Sequence, residues 1–142
     1  MGEELILFKF GARMFIRRNN RPIILLSMGV AMATMHAVIL AFHNDKENIP
    51  QLISVNVNSS GEHLYRNELA TLEGDGYQNY WVSTHLEYYE TLSKLTLVSD
   101  GIYYIVGNDE FMKETIIFLN SKGIENSDII FYRKEEKLSE YF

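Results

Sequence analysis

Two glycine-containing turns carry the residues whose chemistry could hold a ligand. The first is at Gly29, where the apolar run of residues 23–26 passes into a stretch with helical periodicity. Backbone N–H groups at a helix start favour an anion such as pyrophosphate, and glycine permits positive φ angles and close approach of a ligand. A tight structural turn would use a glycine here equally well. The candidate binding residues of this turn are Ser27, Met28, Gly29, Val30 and Ala31.

The second turn follows another short apolar run and contains Gly107, Asn108, Asp109 and Glu110. Asn108 or Asp109 can cap the next helix, which is a complete structural explanation for either residue. Gly107 would in addition let a cofactor ring lie against the end of the strand. Because carboxylates at this helix start disfavour phosphate, we predict that this turn meets an uncharged part of any ligand.

The rest of the sequence excludes several kinds of chemistry. With no cysteine, the chain has no disulfide, thiolate zinc site, iron–sulfur cluster or cysteine nucleophile, and its composition fits a reducing compartment, so we expect a cytoplasmic protein. The four histidines, at positions 36, 43, 63 and 85, lack the spacing of a metal site, and we predict no metal. Neither a serine-nucleophile elbow nor a phosphate-binding loop ending in Gly-Lys is present.

The charge of the chain argues against nucleic acid as a partner. Its 19 acidic and 13 basic side chains give a formal net charge of -6, which opposes association with a phosphate backbone. Four arginines cluster near the start of the chain and could serve an interface, a membrane flank or an anion, although solvation of an exposed linker is the favoured explanation. These arginines are Arg13, Arg17, Arg18 and Arg21.

Apolar segments along the chain alternate between strand and helix patterns. We predict strands over residues 23–26, 52–57, 77–83, 102–106 and 128–132, and helices after Gly29 and over residues 63–72 and 111–120. Residues 84–99 are compatible with either a helix or a loop. Short apolar strands separated by helix-length segments predict an α/β fold, a doubly wound, mainly parallel five-stranded sheet with helices on both faces.

A membrane anchor is the main alternative for one of these segments. Residues 22–42 contain no formally charged side chain at neutral pH, and about 20 apolar residues suffice to span a bilayer as a helix. The arginines upstream fit a cytoplasmic flank. Gly29 divides the segment into two patterns, however, and His36 adds a polar group, so we expect that the chain does not enter a membrane.

Four stretches of the sequence occur in an order typical of one protein family. They are residues 10–15 (FGARMF), 21–35 (RPIILLSMGVAMATM), 64–69 (LYRNEL) and 104–112 (YIVGNDEFM). The second stretch resembles the opening of the pyridine-nucleotide domain of the ferredoxin–NADP reductase family. The first resembles the turn that leaves the family's flavin barrel, and the last two resemble motifs that follow in the same order.

The resemblance implies the NAD(P)H-binding domain of a flavoprotein oxidoreductase, with a Rossmann-like fold and a role in electron transfer. It assigns residues 1–20 to a remnant of the linker or last strand that leaves a flavin barrel, and residues 21–142 to the nucleotide-binding domain. Amides at the Gly29 turn would hold pyrophosphate, a polar loop would meet the adenosine ribose, and Gly107 would lie beside the nicotinamide. The further cofactor-binding candidates are Asn56, Asn58, Ser60, Asn108, Asp109 and Met112.

Departures from the family's pattern bear on the cofactor. Met28 and Ala31 stand where the family has glycines, and Met28 could block a pyrophosphate. Asn58 stands where many members carry an arginine for the 2′-phosphate of NADP, which favours NADH over NADPH. A domain with a blocked nucleotide site that serves as a protein-interaction module is therefore an alternative function.

The resemblance also implies a partner. The family's flavin-binding motif does not occur in this sequence, so we expect FAD only through a further domain or a separate subunit. That flavin-binding domain or subunit is the expected partner, together with a possible electron-transfer protein. The resemblance implies no catalytic side chain, because the hydride chemistry belongs to the cofactors.

Overall fold

The structure is a computed structural model that describes residues 19–98 and 100–131. Its centre is a sheet of five strands in the order β3-β2-β1-β4-β5, and every neighbouring pair is parallel. The strands are β1 (Ile23–Met28), β2 (Leu52–Val57), β3 (Tyr77–Val82), β4 (Ile102–Val106) and β5 (Ile129–Phe131). The predicted α/β, doubly wound fold class is confirmed.

Four α-helices connect the strands. They are α1 (Met32–Asn44), α2 (Arg66–Ala70), α3 (His85–Val98) and α4 (Asp109–Ser121), with short 3-10 turns at Gly29–Ala31 and Asn126–Asp128. Parallel strands require such crossovers, because the chain must return from the carboxyl end of one strand to the amino end of the next. All five strands therefore present their carboxyl ends at one edge, which we call the carboxyl edge.

The sheet is buried on both faces because β1 sends alternate side chains to two separate cores. Ile24 and Leu26 pack with the apolar side chains of α3 and α4, among them Tyr88 and Phe111. Ile23 and Leu25 pack on the other face with α1, through Met32, Met35 and Ile39, and with Leu69 of α2. This two-sided burial explains why β1 is a continuous apolar run rather than an alternating one.

Arg21 links three segments at the amino edge of the sheet, which is the edge opposite the carboxyl edge. The Arg21 guanidinium donates hydrogen bonds to Asp128 Oδ1 at 2.9 Å, to the Asp100 carbonyl at 3.0 Å and to Asp100 Oδ1 at 3.2 Å. It thereby joins the start of β1 to the segments that precede β4 and β5. The hydrogen bond and the charge of Asp128 raise the pKa of Arg21. Arg21 is therefore part of the fold rather than of an exposed linker.

The segment of residues 84–99, for which the sequence left helix and loop open, is the helix α3. Thr84 Oγ1 accepts a hydrogen bond from the backbone N–H of Glu87 at 3.1 Å, and Glu87 Oε1 accepts one from the Ser83 N–H at 2.9 Å. Thr84 therefore caps α3 with the Thr-x-x-Glu spacing of a capping box, and the Glu87 carboxylate accepts from Ser83, the residue before the cap. The hydrogen bonds from Ser83 lower the pKa of Glu87.

One prediction about the elements is wrong in its extent, and the membrane-helix alternative is contradicted. The helix expected over residues 63–72 is the single turn Arg66–Ala70, because Tyr65 adopts a left-handed conformation with φ of +64° and interrupts the helical path. Residues 22–42 do not form one long helix, since β1 and α1 meet at the Gly29 turn. No helix in the described part of the chain is long and apolar enough to cross a membrane.

Some expectations fall outside the described residues. The turn predicted at residues 10–15 lies there, as do Arg13, Arg17 and Arg18 and the last residue of the fifth predicted strand.

Candidate functional site

The carboxyl edge brings the two predicted turns together beside β1. The sheet places β1 between β2 and β4, and the chain leaves β1 towards β2 but returns to β4 on the other side. In open parallel sheets this reversal creates a crevice at the carboxyl ends of the two central strands, where ligands bind. Gly29 follows β1 and Gly107 follows β4, so both turns border this crevice.

The Gly29 turn is open to solvent and has a backbone conformation that favours glycine. Gly29 has a φ of +58°, which is a left-handed conformation, and a Cβ atom added to it would have no neighbour within 4 Å. The 3-10 turn at Gly29–Ala31 and the start of α1 both lack a hydrogen bond from a capping side chain. The first N–H groups of this helical segment are therefore available to an anion.

A buried hydrogen-bond network supports this turn from below. The Asn56 amide nitrogen donates to Ser27 Oγ at 2.8 Å and to the Gly29 carbonyl at 3.4 Å, and Asn56 Oδ1 accepts from His63 Nδ1 at 2.6 Å. Ser27 and Asn56 are both fully buried. Burial, with a smaller effect of the Arg66 charge, lowers the pKa of His63. Two predicted binding residues, Ser27 and Asn56, thus hold the shape of the turn.

The loop after β2 forms a second wall of the site. Its backbone continues the sheet, because the Asn58 N–H donates to the Val82 carbonyl at 3.0 Å. Asn58 Oδ1 accepts hydrogen bonds from both the N–H and the hydroxyl of Ser60 at 3.1 Å, and the Ser60 hydroxyl accepts from the Glu62 N–H. These local bonds fix the conformation of the loop. The residues that make them, Asn58, Ser60 and Glu62, carry no positive charge.

The predicted residues at the end of β4 have clear packing roles. Asn108 caps α4, since its side-chain oxygen accepts a hydrogen bond from the Phe111 N–H at 2.7 Å. The Phe111 ring fills the space that a side chain at Gly107 would need. Met112 is buried in the core formed with α3 and α4. Asp109 lies in the first turn of α4 together with Glu110.

Two small cavities open at the carboxyl edge. The larger has a volume of about 140 Å³, lies over the ends of β1, β2 and β3, and will be called the polar crevice. The smaller, of about 80 Å³, lies over the ends of β1 and β4 and will be called the acidic crevice. The polar crevice is lined by Met28, Gly29, Val57, Asn58, Ser59, Ser83 and His85, and the acidic crevice by Met28, His85, Asn108, Glu110, Phe111 and Glu114.

The predicted residues therefore divide into those that line the crevices, those buried beneath them and those outside the lining. Met28, Gly29, Asn58 and Asn108 line the crevices, while Ser27, Asn56 and Met112 are buried beneath them. Val30 lies beside the site and is 79% exposed. The crevices do not include Ala31, Ser60, Gly107 or Asp109 in their lining.

Ser83 and His85 are among the lining residues that the sequence analysis missed. Ser83 follows the last residue of β3, and His85 begins α3. The signal for them was the Thr-x-x-Glu spacing of Thr84 and Glu87, which marks a helix start immediately after a strand. A helix start at that point places Ser83 and His85 at the carboxyl edge.

Away from the crevices, His36 of α1 contacts Tyr65 and Glu68 at and within α2. The ring of His36 stacks on that of Tyr65 with 3.8 Å between ring centres, and His36 Nε2 lies 2.9 Å from Glu68 Oε2. This stacking contact accompanies the left-handed backbone of Tyr65. Within the ranges that the structure describes, no group of three histidine or carboxylate side chains is arranged to hold a metal ion.

Comparison with models of known protein families and with curated proteins finds no match. Solved structures do match. One is the ferredoxin reductase in carbazole 1,9a-dioxygenase, in its FAD apo form, with a TM-score of 0.59 and 16% identity over 78% of this chain and 34% of that chain. Another is the flavohaem-like FAD/NAD binding domain of nitric oxide dioxygenase from Vibrio cholerae O1 biovar El Tor, with a TM-score of 0.62 and 24% identity.

The second match covers 83% of this chain and 52% of the other, so the present chain spans about half of one of these structures and a third of the other. At these identities the likeness concerns the fold. The motifs of the sequence and the order of the strands agree with this likeness in fold. The chain has the α/β fold found within ferredoxin reductases and flavohaem-like FAD/NAD-binding domains, as its resemblance to the ferredoxin–NADP reductase family predicted.

Proposed function

We propose that this chain is the pyridine-nucleotide-binding domain of a ferredoxin reductase-like flavoprotein oxidoreductase, and that it presents NAD(P)H to a flavin held by another domain or chain. The observation that carries the proposal is the Gly29 turn. It is open, has a positive φ, and leads into a helical segment without a capping side chain at the point where the sheet topology reverses. This combination fits the pyrophosphate of a dinucleotide.

The residues of the site have distinct roles in this proposal. The N–H groups after Gly29 bind the pyrophosphate, and the Ser27–Asn56–His63 network keeps them in place. Asn58 and the loop that carries Ser60 face the adenosine ribose, and the Gly107–Asn108 turn faces the nicotinamide. The nicotinamide supplies the hydride. The contribution of the chain is orientation, which requires no general acid or base from it.

The proposed nucleotide is NADH rather than NADPH. Within residues 19–98 and 100–131, no lysine or arginine lines the polar crevice, where the adenosine side would lie. Arg66 begins α2, and its guanidinium lies over the ring of Trp81, 6.0 Å from the ring centre. Glu87 instead places a carboxylate beside Ser83. A 2′-phosphate would therefore enter a site without a guanidinium partner.

The test is a titration of the purified chain with NADH and, separately, NADPH, followed by saturation-transfer NMR of the ligand protons. We expect saturable binding with NADH tighter than NADPH. Gly29→Val, which introduces both strain and a side chain, should weaken NADH at least about tenfold, or about 1.4 kcal/mol. Gly123→Val is the matched control, because Gly123 also has a positive φ and open surroundings but lies at the far end of α4.

A second candidate function rests on the apolar side chains around the crevices. Met28 lines both cavities, and two exposed apolar residues adjoin the lining in sequence, Val30 at 79% and Leu86 at 69% exposure. Such a surface could dock another protein. Binding of neither nucleotide at millimolar concentration would reject the nucleotide function and favour this protein-interaction module.

A further inference from the structure

The outermost face of α3 carries two leucines where a surface helix normally carries polar residues. Leu86 is 69% exposed and Leu97 is 83% exposed. The side chains of α3 that pack in the core are Tyr88, Leu92 and Leu95. At about 100° of rotation per residue, both exposed leucines lie on the side of the helix opposite this buried stripe. The core of the molecule therefore does not account for them.

The exposed apolar surface continues onto α4, which lies beside α3. The ring of Tyr89 on α3 is 4.8 Å from that of Phe118 on α4, between ring centres. Ile117, on the solvent side of α4, is 68% exposed. A groove of about 390 Å³ between the two helices is lined by these three side chains together with Glu114 and Ser121. Exposed apolar side chains grouped in this way are typical of a surface that binds another protein.

The charges on α3 suit a second copy of this chain as the partner. Glu90 and Lys94 are exposed and lie one helical turn apart on the same side of α3 as the two leucines. Within the described residues, neither of them is in an ion pair. If a two-fold axis passes through the middle of α3, the two copies of the helix run antiparallel. Glu90 of each copy then faces Lys94 of the other, so the surface is complementary to itself.

The same two-fold axis pairs the leucines. Leu86 and Leu97 are separated by about three turns, or roughly 16 Å along the helix axis. The midpoint between them nearly coincides with the midpoint between Glu90 and Lys94. Leu86 of one copy therefore meets Leu97 of the other in the arrangement that pairs the charges. Ser93 lies near the centre of this face, where its small side chain permits close approach of the two helices.

We propose that this chain forms a two-fold dimer in which α3 packs antiparallel against α3 of a second copy, and that the contact extends into the groove between α3 and α4. Leu86 and Leu97 supply its apolar part, and Glu90 and Lys94 set its orientation. The inference is independent of the proposed nucleotide function, because none of these four residues lines either crevice. An interface of two short helices per copy is small, so we expect a dissociation constant of about 10–100 μM.

The test is sedimentation equilibrium of the purified chain over a concentration range that includes about 10–100 μM. We expect a monomer–dimer equilibrium. Leu97→Glu and, independently, Ile117→Glu should each weaken the dimer at least about tenfold, because each places a charge in the apolar contact. Leu64→Glu is the matched control, since it adds the same charge at an exposed leucine that precedes α2. It should leave the dissociation constant of the dimer unchanged.

Exchange of the charges tests the antiparallel arrangement. Glu90→Lys alone should weaken the dimer at least about threefold at low salt, because like charges then face each other across the two-fold axis. The double variant Glu90→Lys with Lys94→Glu restores opposite charges at both pairs. Its dissociation constant should return to within about twofold of that of the wild-type chain.

Three results would overturn the inference. The first is a wild-type chain that remains monomeric over the whole concentration range. The second is a dimer whose dissociation constant is the same in the wild-type chain, Leu97→Glu and Ile117→Glu, since the interface would then lie elsewhere. The third is a double charge variant that dimerises as weakly as Glu90→Lys. The NADH titration described above is a separate measurement, so failure of the dimer and failure of the nucleotide function are distinguishable.

Discussion

His43, in the last turn of α1, has a ring nitrogen that the fold leaves unsatisfied. Its Nε2 atom is buried without a hydrogen-bond partner among the residues that the structure describes, and its ring lies edge-on to that of Tyr77 at 5.1 Å between centres. Burial lowers the pKa of His43, the positive charge of Lys46 adds to this effect, and Asp75 opposes it. The native state therefore favours the neutral imidazole, although a cation at a helix end would otherwise be stabilised.

We predict that His43 makes the domain sensitive to mild acid. Because its pKa is lower in the native state than in the unfolded chain, the unfolded chain binds more protons between those two values. The contribution of His43 to the free energy of unfolding is therefore fully present above pH 6.5 and falls as pH decreases through this window, by at most about 1.4 kcal/mol per pH unit for one group. His63 acts in the same direction.

His43→Phe should retain the ring contacts and reduce this pH dependence, as measured by urea unfolding between pH 5 and 8, a range set by the ordinary histidine pKa of about 6.5. His85→Gln, which changes an exposed histidine, should leave the slope as in the wild-type chain. An identical slope in His43→Phe and the wild-type chain would contradict the assignment.

At the residue scale, the sequence indicated polar side chains at the carboxyl edge but not their partners. Asn56 lies directly opposite Ser27 in the register of β1 and β2, and that register buries both side chains. The pairing depends on how β1 and β2, which are separated by a helix, align with each other. A local sequence pattern does not determine that alignment. This is why a residue predicted to meet the ribose has both ends of its amide hydrogen-bonded within the chain.

At the scale of the elements, the strands were predictable and two helices were not. Short apolar runs bounded by glycine or polar residues predicted all five strands to within a few residues. The spacing of Leu64, Leu69 and Leu72 predicted a longer α2, yet Leu64 is exposed and Tyr65 turns the chain into a left-handed conformation. The aromatic and acidic mixture in α3 obscured a helix whose start the Thr84 capping pattern marks.

We predict that the cap of α3 makes a measurable contribution to stability. Thr84→Ala removes the acceptor for the Glu87 N–H and should lower the free energy of unfolding by about 1 kcal/mol. Ser93→Ala, in the interior of the same helix, should cause no comparable loss, because alanine is the better helix former there. Urea unfolding at neutral pH measures both changes. Equal stability of the Thr84 variant and the wild-type chain would show that the hydroxyl does not act as a cap.

For the whole molecule, the sequence predicted a parallel sheet of five strands but not the order of those strands. The pattern indicates parallel strands, but the order β3-β2-β1-β4-β5 depends on where each crossover returns. Arg21 and Pro22 open the stretch that resembles the ferredoxin–NADP reductase family, and Arg21 has a structural role at this scale. Arg21 reaches both Asp100 and Asp128, so it joins segments that are distant in sequence and adjacent at the amino edge.

We predict that Arg21→Met destabilises the domain by about 1–2 kcal/mol, since the lost hydrogen bonds involve charged groups that are partly exposed to solvent. Arg21→Lys keeps the charge but not the planar fork, and should recover less than half of that loss. Lys94→Met, an exposed change on α3, is the control and should be neutral. Urea unfolding at neutral pH makes the comparison, and equal stability of the lysine variant and the wild-type chain would show that charge alone is sufficient.

The position of Arg21 also has a kinetic consequence. Its partners Asp100 and Asp128 lie 79 and 107 residues further along the chain, so these contacts require β4 and β5 to have joined β1. We predict that contacts closing such long loops form late in folding and are absent from the transition state, which chevron kinetics of Arg21→Met would test. Arg21 then slows unfolding without accelerating folding. Its role is to set the lifetime of the assembled sheet.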